Sequence, residues 1–285
     1  MSTHRLAAYL ERIGLAETPA PDAEGLATLQ RAHRLAIPFE NLDIPLGRGI
    51  RIDSDSVFDK LVAQRRGGYC FEQNRLFSDM LGAIGIANRP LLARVRLGLG
   101  SDAHPPRTHV LLLAEVSGVL RIADAGFGGS YVPPLKLKDG AEAETPDGAR
   151  HRLRKLDGGL AGEWLLERAG PQAPTDGRGK PHRDWQPQYS FDLGEVAQDD
   201  LEQANHWTAT RPGTRFTTLH IASLALADGF AALTDRSLSL TRNGSNEMRE
   251  FADPAAWRGA LGEIFGISLP EQEVAALSLW VQSGG

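Results

Sequence analysis

The sequence predicts an α+β fold, and three observations predict it. Over roughly the first 86 residues the apolar side chains recur at helical spacing. From about residue 90 they fall into short runs separated by Gly, Pro and Asp. Beyond residue 199 the two patterns mix. With 285 residues, 41% of them hydrophobic and 24% charged, the chain has material for a sizeable core and for two or three subdomains.

Leu6, Tyr9, Leu10 and Ile13 predict a first helix, capped by Thr3 and stopped by Gly14. Asp22 predicts the cap of a second, which carries Leu26, Leu29 and Leu35 and ends before Pro38. A third helix is expected from about Ser54 to Gly67, with Val57, Phe58, Leu61 and Val62, and a fourth over residues 70–84. Strands are expected at 91–97, 108–116, 119–125, 151–156, 163–168 and 189–193, forming an antiparallel sheet or small barrel. Residues 170–184 read as an exposed, mobile loop. The tail reads as a helical start, then strands near 218–226, 230–234 and 237–241, then helices near 254–265 and 270–281.

Composition narrows the function classes. The formal net charge is −5 with a sequence pI near 5.9, and the Arg residues are dispersed, which argues against nucleic acid as a partner. No apolar run is long enough to span a bilayer, so no membrane partner is expected. A single Cys and an N-terminal stretch without an apolar run predict a reducing, cytoplasmic setting. No spacing of His, Cys and carboxylates resembles a zinc site, so no metal is expected. Oligomeric state is not legible.

The lone cysteine, Cys70, lies in Arg66-Gly67-Gly68-Tyr69-Cys70-Phe71-Glu72-Gln73-Asn74. It can form neither an internal disulfide nor a Cys-rich metal site, so it either packs or reacts. Packing is the commoner fate of a free cysteine. Here the two glycines permit a sharp turn and close approach, and the amphipathic run that follows puts Cys70 at a helix N-terminus. The positive end of the helix dipole favours a thiolate there.

A thiol nucleophile needs a base, and the base needs an orienting partner. Ser117-Gly118 between two apolar runs predicts a two-residue hairpin turn. With Val116 opposite Val119, counting outward sets Leu111 opposite Asp124. His109 then lies on the same face as Leu111, diagonal to Asp124 and within reach of it. A slip of one residue would separate the two. Taken singly, His109 is a half-buried strand histidine and Asp124 a turn residue. His104 is a rival by proximity, but its Pro-flanked loop has no sheet to hold it. The other histidines read as surface-like or less constrained. After Asp124 comes Ala125-Gly126-Phe127-Gly128-Gly129, neither a Walker loop nor a dinucleotide fingerprint. Its glycines could turn N–H groups toward an anion or carbonyl, with Phe127 as an apolar wall.

Pro38-Phe39-Glu40-Asn41, Arg66 to Glu72, Thr108-His109 and Asp124 to Gly128 together resemble the arylamine N-acetyltransferase family in order and rough spacing. Asn205-His206-Trp207 and Arg215-Phe216 look like a weaker continuation. The resemblance implies a helical bundle (1–86), an antiparallel β-barrel (87–198) and an α/β lid (199–285) around a cysteine-protease-like Cys-His-Asp core. It sets the catalytic triad on Cys70, His109 and Asp124, and an ion pair bracing the Cys loop on Glu40 and Arg66. It implies acetyl-CoA as co-substrate, with Thr108 and Gly126, Phe127, Gly128 and Gly129 along the pantetheine arm. Phe39, Phe127 and Phe216 would line the pocket for an aromatic amine or hydrazine. Three other readings stay open: a Cys hydrolase of transglutaminase type, an amide synthase or other acyl-CoA user, and a non-enzymatic binding module.

Overall fold

The structure is a computed structural model that describes residues 3–100, 103–146, 148–170 and 182–280. Its first part holds helices α1 (Thr3–Arg12), α2 (Ala23–Ala36), α3 (Ser54–Phe58) and α4 (Cys70–Ala83) and a two-residue strand β1 (Phe39–Glu40). Asp22 caps α2 as expected, its carboxylate accepting from the Gly25 N–H at 2.8 Å. The expected third helix is broken: α3 gives way to a wide π turn, Asp59–Ala63, and ends in Arg65 at φ 54°. It starts at Ser54 as expected, capped by Asp53. The wide turn aims Lys60 and Arg66 inward onto buried carboxylates, an interaction that local spacing does not announce.

Eight strands form one antiparallel sheet: β2 (Ala87–Val95), β3 (Arg107–Val116), β4 (Val119–Ala123), β5 (Leu135–Lys136), β6 (Glu142–Glu144), β7 (Arg150–Lys155), β8 (Trp164–Gly170) and β9 (His182–Phe191). Their order in the sheet is β5-β4-β3-β2-β9-β8-β7-β6. The two outermost strands, β5 and β6, are joined by only residues 137–141. A connection that short forces the sheet to curl its edges together, and the result is a nearly closed barrel. Most of the loop expected over 170–184 lies outside the described residues. At its ends β8 and β9 extend beyond the apolar runs that predicted them.

A second sheet is built from β1, β10 (Ile221–Leu226), β11 (Gly229–Thr234), β12 (Ser237–Arg242) and β13 (Ser245–Glu250), in that order. Strand β13 has no apolar pattern and is exposed throughout, so periodicity missed it. Helix α5 (Gln198–Thr210) and the single turn α6 (Arg215–Thr218) precede this sheet, and α7 (Pro254–Phe265) and α8 (Glu271–Ala276) follow it. The last helix is shorter than expected, and Ser278 beyond it takes a left-handed φ of 57°.

Strand β3 explains why its sequence is an unbroken apolar run. Leu111 and Leu113 face the barrel interior with Leu91, Ile122, Leu166 and Tyr189. Leu112, Ala114 and Val116 face the helices, packing with Leu29, Phe77 and Met80. Both faces are dry, and each such side chain contributes about 1.5–3 kcal/mol of hydrophobic stabilisation. Trp257, Leu261 and Phe265 of α7 cover the second sheet against Leu224, Ala231 and Leu233. Among the described residues, no helix is long and apolar enough to cross a membrane.

Candidate active site

Helix α4 starts at Cys70, so the thiol sits in the first turn with Tyr69 as cap. Glu72, three residues past the cap, accepts from the Tyr69 N–H at 3.0 Å, as in a capping box. The segment before the helix is pinned. Glu40 N–H donates to the Gly68 carbonyl at 3.1 Å and Gly68 N–H to the Pro38 carbonyl at 3.3 Å. Any Cβ at Gly67 would collide with the Pro38 carbonyl.

The β3–β4 hairpin has the expected register. Val116 opposes Val119 and the ladder runs to Leu112 opposite Ala123. Ser117 and Gly118 both take positive φ, 53° and 73°, the geometry of a type I′ turn. One step past the ladder, Asp124 Oδ2 meets His109 Nε2 at 2.8 Å, with both side chains buried.

Asp124 is surrounded by donors. Asn74 Nδ2 reaches Oδ1 at 3.0 Å, and the Gly126 N–H reaches the same oxygen at 3.0 Å. Burial pushes this carboxyl up, but His109, Asn74 and the Gly126 N–H outweigh it and hold the group below its usual range. Asn74 also donates to the Val110 carbonyl at 2.7 Å and accepts from the Ala125 N–H at 3.0 Å. Gln30 accepts from the Asp124 N–H at 2.9 Å. Helices α2 and α4 thus hold the acid from behind.

Cys70, Thr108, His109, Gly126, Phe127, Gly128, Phe39 and Phe216 line one cavity of about 190 Å³. Asp124 stands behind His109. Gly129 is not on the cavity wall: its Cβ position faces the Phe127 ring and Leu97. The glycine loop does not present the Gly126 N–H to a ligand either, because Asp124 takes it. Gly126 is needed for close approach instead. A Cβ there would lie 2.9 Å from both Cα and the carbonyl oxygen of Cys70.

Burial pushes the Cys70 thiol up, while the N–H groups of Val110, Phe71 and Cys70 pull it down and Asp124 adds to the upward push. Burial wins, so the helix end alone does not yield a free thiolate. The thiol points at the Thr108 carbonyl, 3.6 Å from Sγ. Aromatic rings enclose the imidazole: His109 lies 5.1 Å from Phe127 and 5.0 Å from Tyr189, centroid to centroid.

The ion pair expected between Glu40 and Arg66 is present, with Arg66 Nη2 at 2.7 Å and Nε at 3.0 Å from Oε1. It belongs to a larger assembly. Arg66 also reaches Asp43 at 3.2 Å, and Lys60 bridges Asp43 and Glu72 at 2.7 Å each. Burial, with Glu40 adding to it, pushes the Glu72 carboxyl up to about 7 despite the Lys60 ammonium.

Sequence reasoning missed several contributors. His33 and His151 are fully buried, not surface-like. His33 contacts Tyr9 and Gln73, and burial lowers its imidazole to about 3, so it is neutral. Gln73 in turn donates to the Pro38 and Gly68 carbonyls at 2.7 and 3.1 Å, bracing the Cys loop. Asn41 donates to the Phe216 and Leu219 carbonyls at 2.9 and 2.8 Å. That seats Phe216 against Phe39 and Tyr69, at 5.9 and 5.6 Å. Trp207, Thr208, Thr214, Arg215 and Ser223 also line the cavity. His104, the rival base, is exposed and off the wall. Among the described residues no group of three His, Cys, Asp or Glu side chains could hold a metal ion.

A family model described as N-acetyltransferase matches residues 22–274. The arylamine N-acetyltransferase of Escherichia coli is 36% identical over 266 residues, covering 92% of this chain and 89% of that protein. The Salmonella typhimurium arylamine N-acetyltransferase / N-hydroxyarylamine O-acetyltransferase is 38% identical over 241 residues, covering 84% and 79%. A solved Salmonella typhimurium arylamine N-acetyltransferase superposes with a TM-score of 0.87 at 35% identity, covering 97% of this chain and 98% of that one. The Mycobacterium marinum arylamine N-acetyltransferase in complex with CoA does so with 0.83 at 30% identity, covering 95% and 98%. With the cysteine and histidine on one cavity and the aspartate bonded to the histidine, the chain belongs to the arylamine N-acetyltransferase family.

Proposed function

We propose that this protein transfers the acetyl group of acetyl-CoA, through an acetyl thioester on Cys70, to the nitrogen of an aromatic amine or hydrazine. The observation that carries the reading is the shared cavity of Cys70 and His109, with Asp124 bonded to Nε2 of the imidazole. The chain's likeness to a relative solved with CoA supports the donor, and the names of the relatives support the acceptor.

Burial keeps the resting thiol neutral, so its proton leaves as acetyl-CoA arrives, and His109 takes it. The ionised Asp124 stabilises the imidazolium. The Cys70 sulfur attacks the thioester carbonyl, the carbon–sulfur bond to coenzyme A breaks, and His109 returns the proton to the departing thiolate. The N–H groups at the start of α4 are suited to the oxyanion. In the second half-reaction the amine nitrogen attacks the acetyl-Cys carbonyl and His109 accepts its proton. Cys70 then leaves as thiolate and is reprotonated. Both half-reactions use one cavity, which requires ping-pong kinetics. Aromatic amines are neutral near pH 7 and keep their lone pair, whereas alkyl amines are protonated and poor acceptors. Thr108, Gly126 and Gly128 fit the pantetheine arm, and Phe39, Phe127 and Phe216 fit the aromatic ring. Gly129, next to Gly128 but not itself on the cavity wall, completes the coenzyme set. The chain divides near residues 86 and 198 into bundle, barrel and lid, with β1 lent by the first unit to the sheet of the last.

Intact-protein mass spectrometry after brief exposure to acetyl-CoA without acceptor tests the relay. Wild type gains one acetyl group, Cys70→Ala gains none, and an arylhydrazine discharges the adduct. No adduct on wild type with acetyl-, propionyl- or malonyl-CoA rejects it in favour of a hydrolase.

A further inference from the structure

A second recess runs along α4, starting one residue on from Cys70. Its volume is about 230 Å³, larger than the 190 Å³ of the catalytic cavity, and the two share no lining residue. Phe71, Asn74, Arg75 and Ser78 recur at the spacing of one helical face and form one wall. Val110 and Leu112, alternate residues of β3, form the next. Val196 and Leu201 close the recess from the start of α5.

Most of the wall is apolar, and its polar groups are already engaged. The Asn74 amide donates to the Val110 carbonyl and to Asp124, and its oxygen accepts from the Ala125 N–H. The Ser78 hydroxyl donates to Asn88 at 2.6 Å. At the rim Arg75 Nε donates to Asp79 at 3.3 Å, and Arg75 Nη1 reaches the Gln198 side-chain oxygen at 3.4 Å. Among the described residues no carboxylate lines the recess. A cation would find no acid on the wall, and an anion would find a guanidinium already paired. Water fits but has few partners, and an apolar group displaces such water favourably. An apolar cavity of about 150 Å³ holds benzene, so this one has room for one or two rings. Phe71 offers them an aromatic partner.

We propose that this recess is a second ligand site, for a small uncharged aromatic molecule, and that its occupant acts on Cys70, His109 and Asp124 from behind. Phe71 follows Cys70 in the chain and Val110 follows His109. Asn74 bonds both the Val110 carbonyl and Asp124. A ring seated here therefore touches an immediate neighbour of each of the three. The coupling rests on the catalytic roles proposed for them, whereas the binding does not.

The probe is indole, titrated calorimetrically into the full chain before and after carbamidomethylation of Cys70. Cys70 is the only cysteine, so the modification obstructs the catalytic cavity alone. Saturable binding with a Kd of about 0.1–1 mM is expected in both proteins. Val196→Trp and Leu201→Phe fill the recess from two positions, and each should weaken that binding about tenfold or more. At saturating indole the wild-type kcat for an arylhydrazine should shift about twofold or more with the acceptor KM unchanged, and Val196→Trp should lose the shift. No saturable binding up to about 10 mM, binding unchanged in both filled variants, or binding lost on carbamidomethylation overturns the site. A rise in acceptor KM alone would put indole in the catalytic cavity and overturns it too. Kinetics untouched by bound indole overturn the coupling.

Discussion

Two polar assemblies flank Cys70, and they are built on opposite plans. On one side a single buried carboxylate, Asp124, is surrounded by neutral donors and one imidazole. On the other, Glu40, Asp43 and Glu72 are interleaved with Lys60 and Arg66. The first arrangement holds one charge ionised in a fixed place beside a base. The second ties three chain segments together: the loop after β1, the turn after α3 and the start of α4. Neutral donors suit a group that must remain charged while a proton moves nearby. Interleaved full charges suit a brace, whose members must not move at all. One assembly serves chemistry and the other position, although both are buried and both touch the Cys loop.

The largest effect that sharpens this contrast is expected from Asp124→Asn. The amide keeps the shape but loses the charge, so kcat should fall about 10³–10⁴-fold with little change in melting temperature. Steady-state kinetics beside a thermal melt checks it, and a rate within tenfold of wild type would mean that Asp124 is only structural. Gly126→Ala comes next. The added Cβ runs into Cys70, and displacement of the nucleophile by even about 1 Å should cost about a hundredfold in kcat/KM. Arg66→Met tests the brace. It leaves Glu40 buried without its cation and should destabilise by about 3–5 kcal/mol in denaturant unfolding. The fraction that stays folded should still acetylate Cys70.

The smallest effect is a pH signature, and its sign differs between the two assemblies. Asp124 binds its proton more weakly folded than unfolded. The stability it contributes is present above its unfolded value and lost as pH falls through the lower folded one. Glu72 is the reverse, raised from 4.5 to about 7. The folded state holds the Glu72 proton more tightly, so its contribution declines as pH rises from 4.5 to about 7 and is flat above that. Glu72→Gln should remove this decline. Unfolding midpoints of wild type and variant at pH 5 and pH 7.5 measure it, and parallel changes in the two proteins would refute the assignment.

What was legible in the sequence was local or had an unambiguous period. The start of α4 followed from the apolar spacing after Gly67-Gly68. The pairing of His109 with Asp124 followed from one turn dipeptide and the two-residue period of the strands, because register in a hairpin is set by its turn. The polar supports of the site were not legible. Gln30, His33, Gln73 and Asn74 sit on helices whose pattern marks them only as non-core, and their partners come from other segments. Nor was β1, whose two residues show no period and pair with β10 some 180 residues later. Trp207 and Thr208 reach the cavity on α5, which Asn205 ties to the Tyr69 hydroxyl and the Ile50 carbonyl, while Asn41 fastens the segment around α6 that follows Thr214.

The sequence by itself determined which cysteine, histidine and aspartate are proposed as nucleophile, base and orienting acid, and the register that brings the last two together. A lone cysteine, a turn and a strand period are properties of consecutive residues. Only the tertiary structure decided that the thiol is buried, which pushes its ionisation up. It alone decided that Gly126 serves by leaving room for Cys70, and that the cavity is closed by residues from the other end of the chain. Desolvation and close packing depend on what lies across a gap, and the residues across these gaps are mostly far away in sequence.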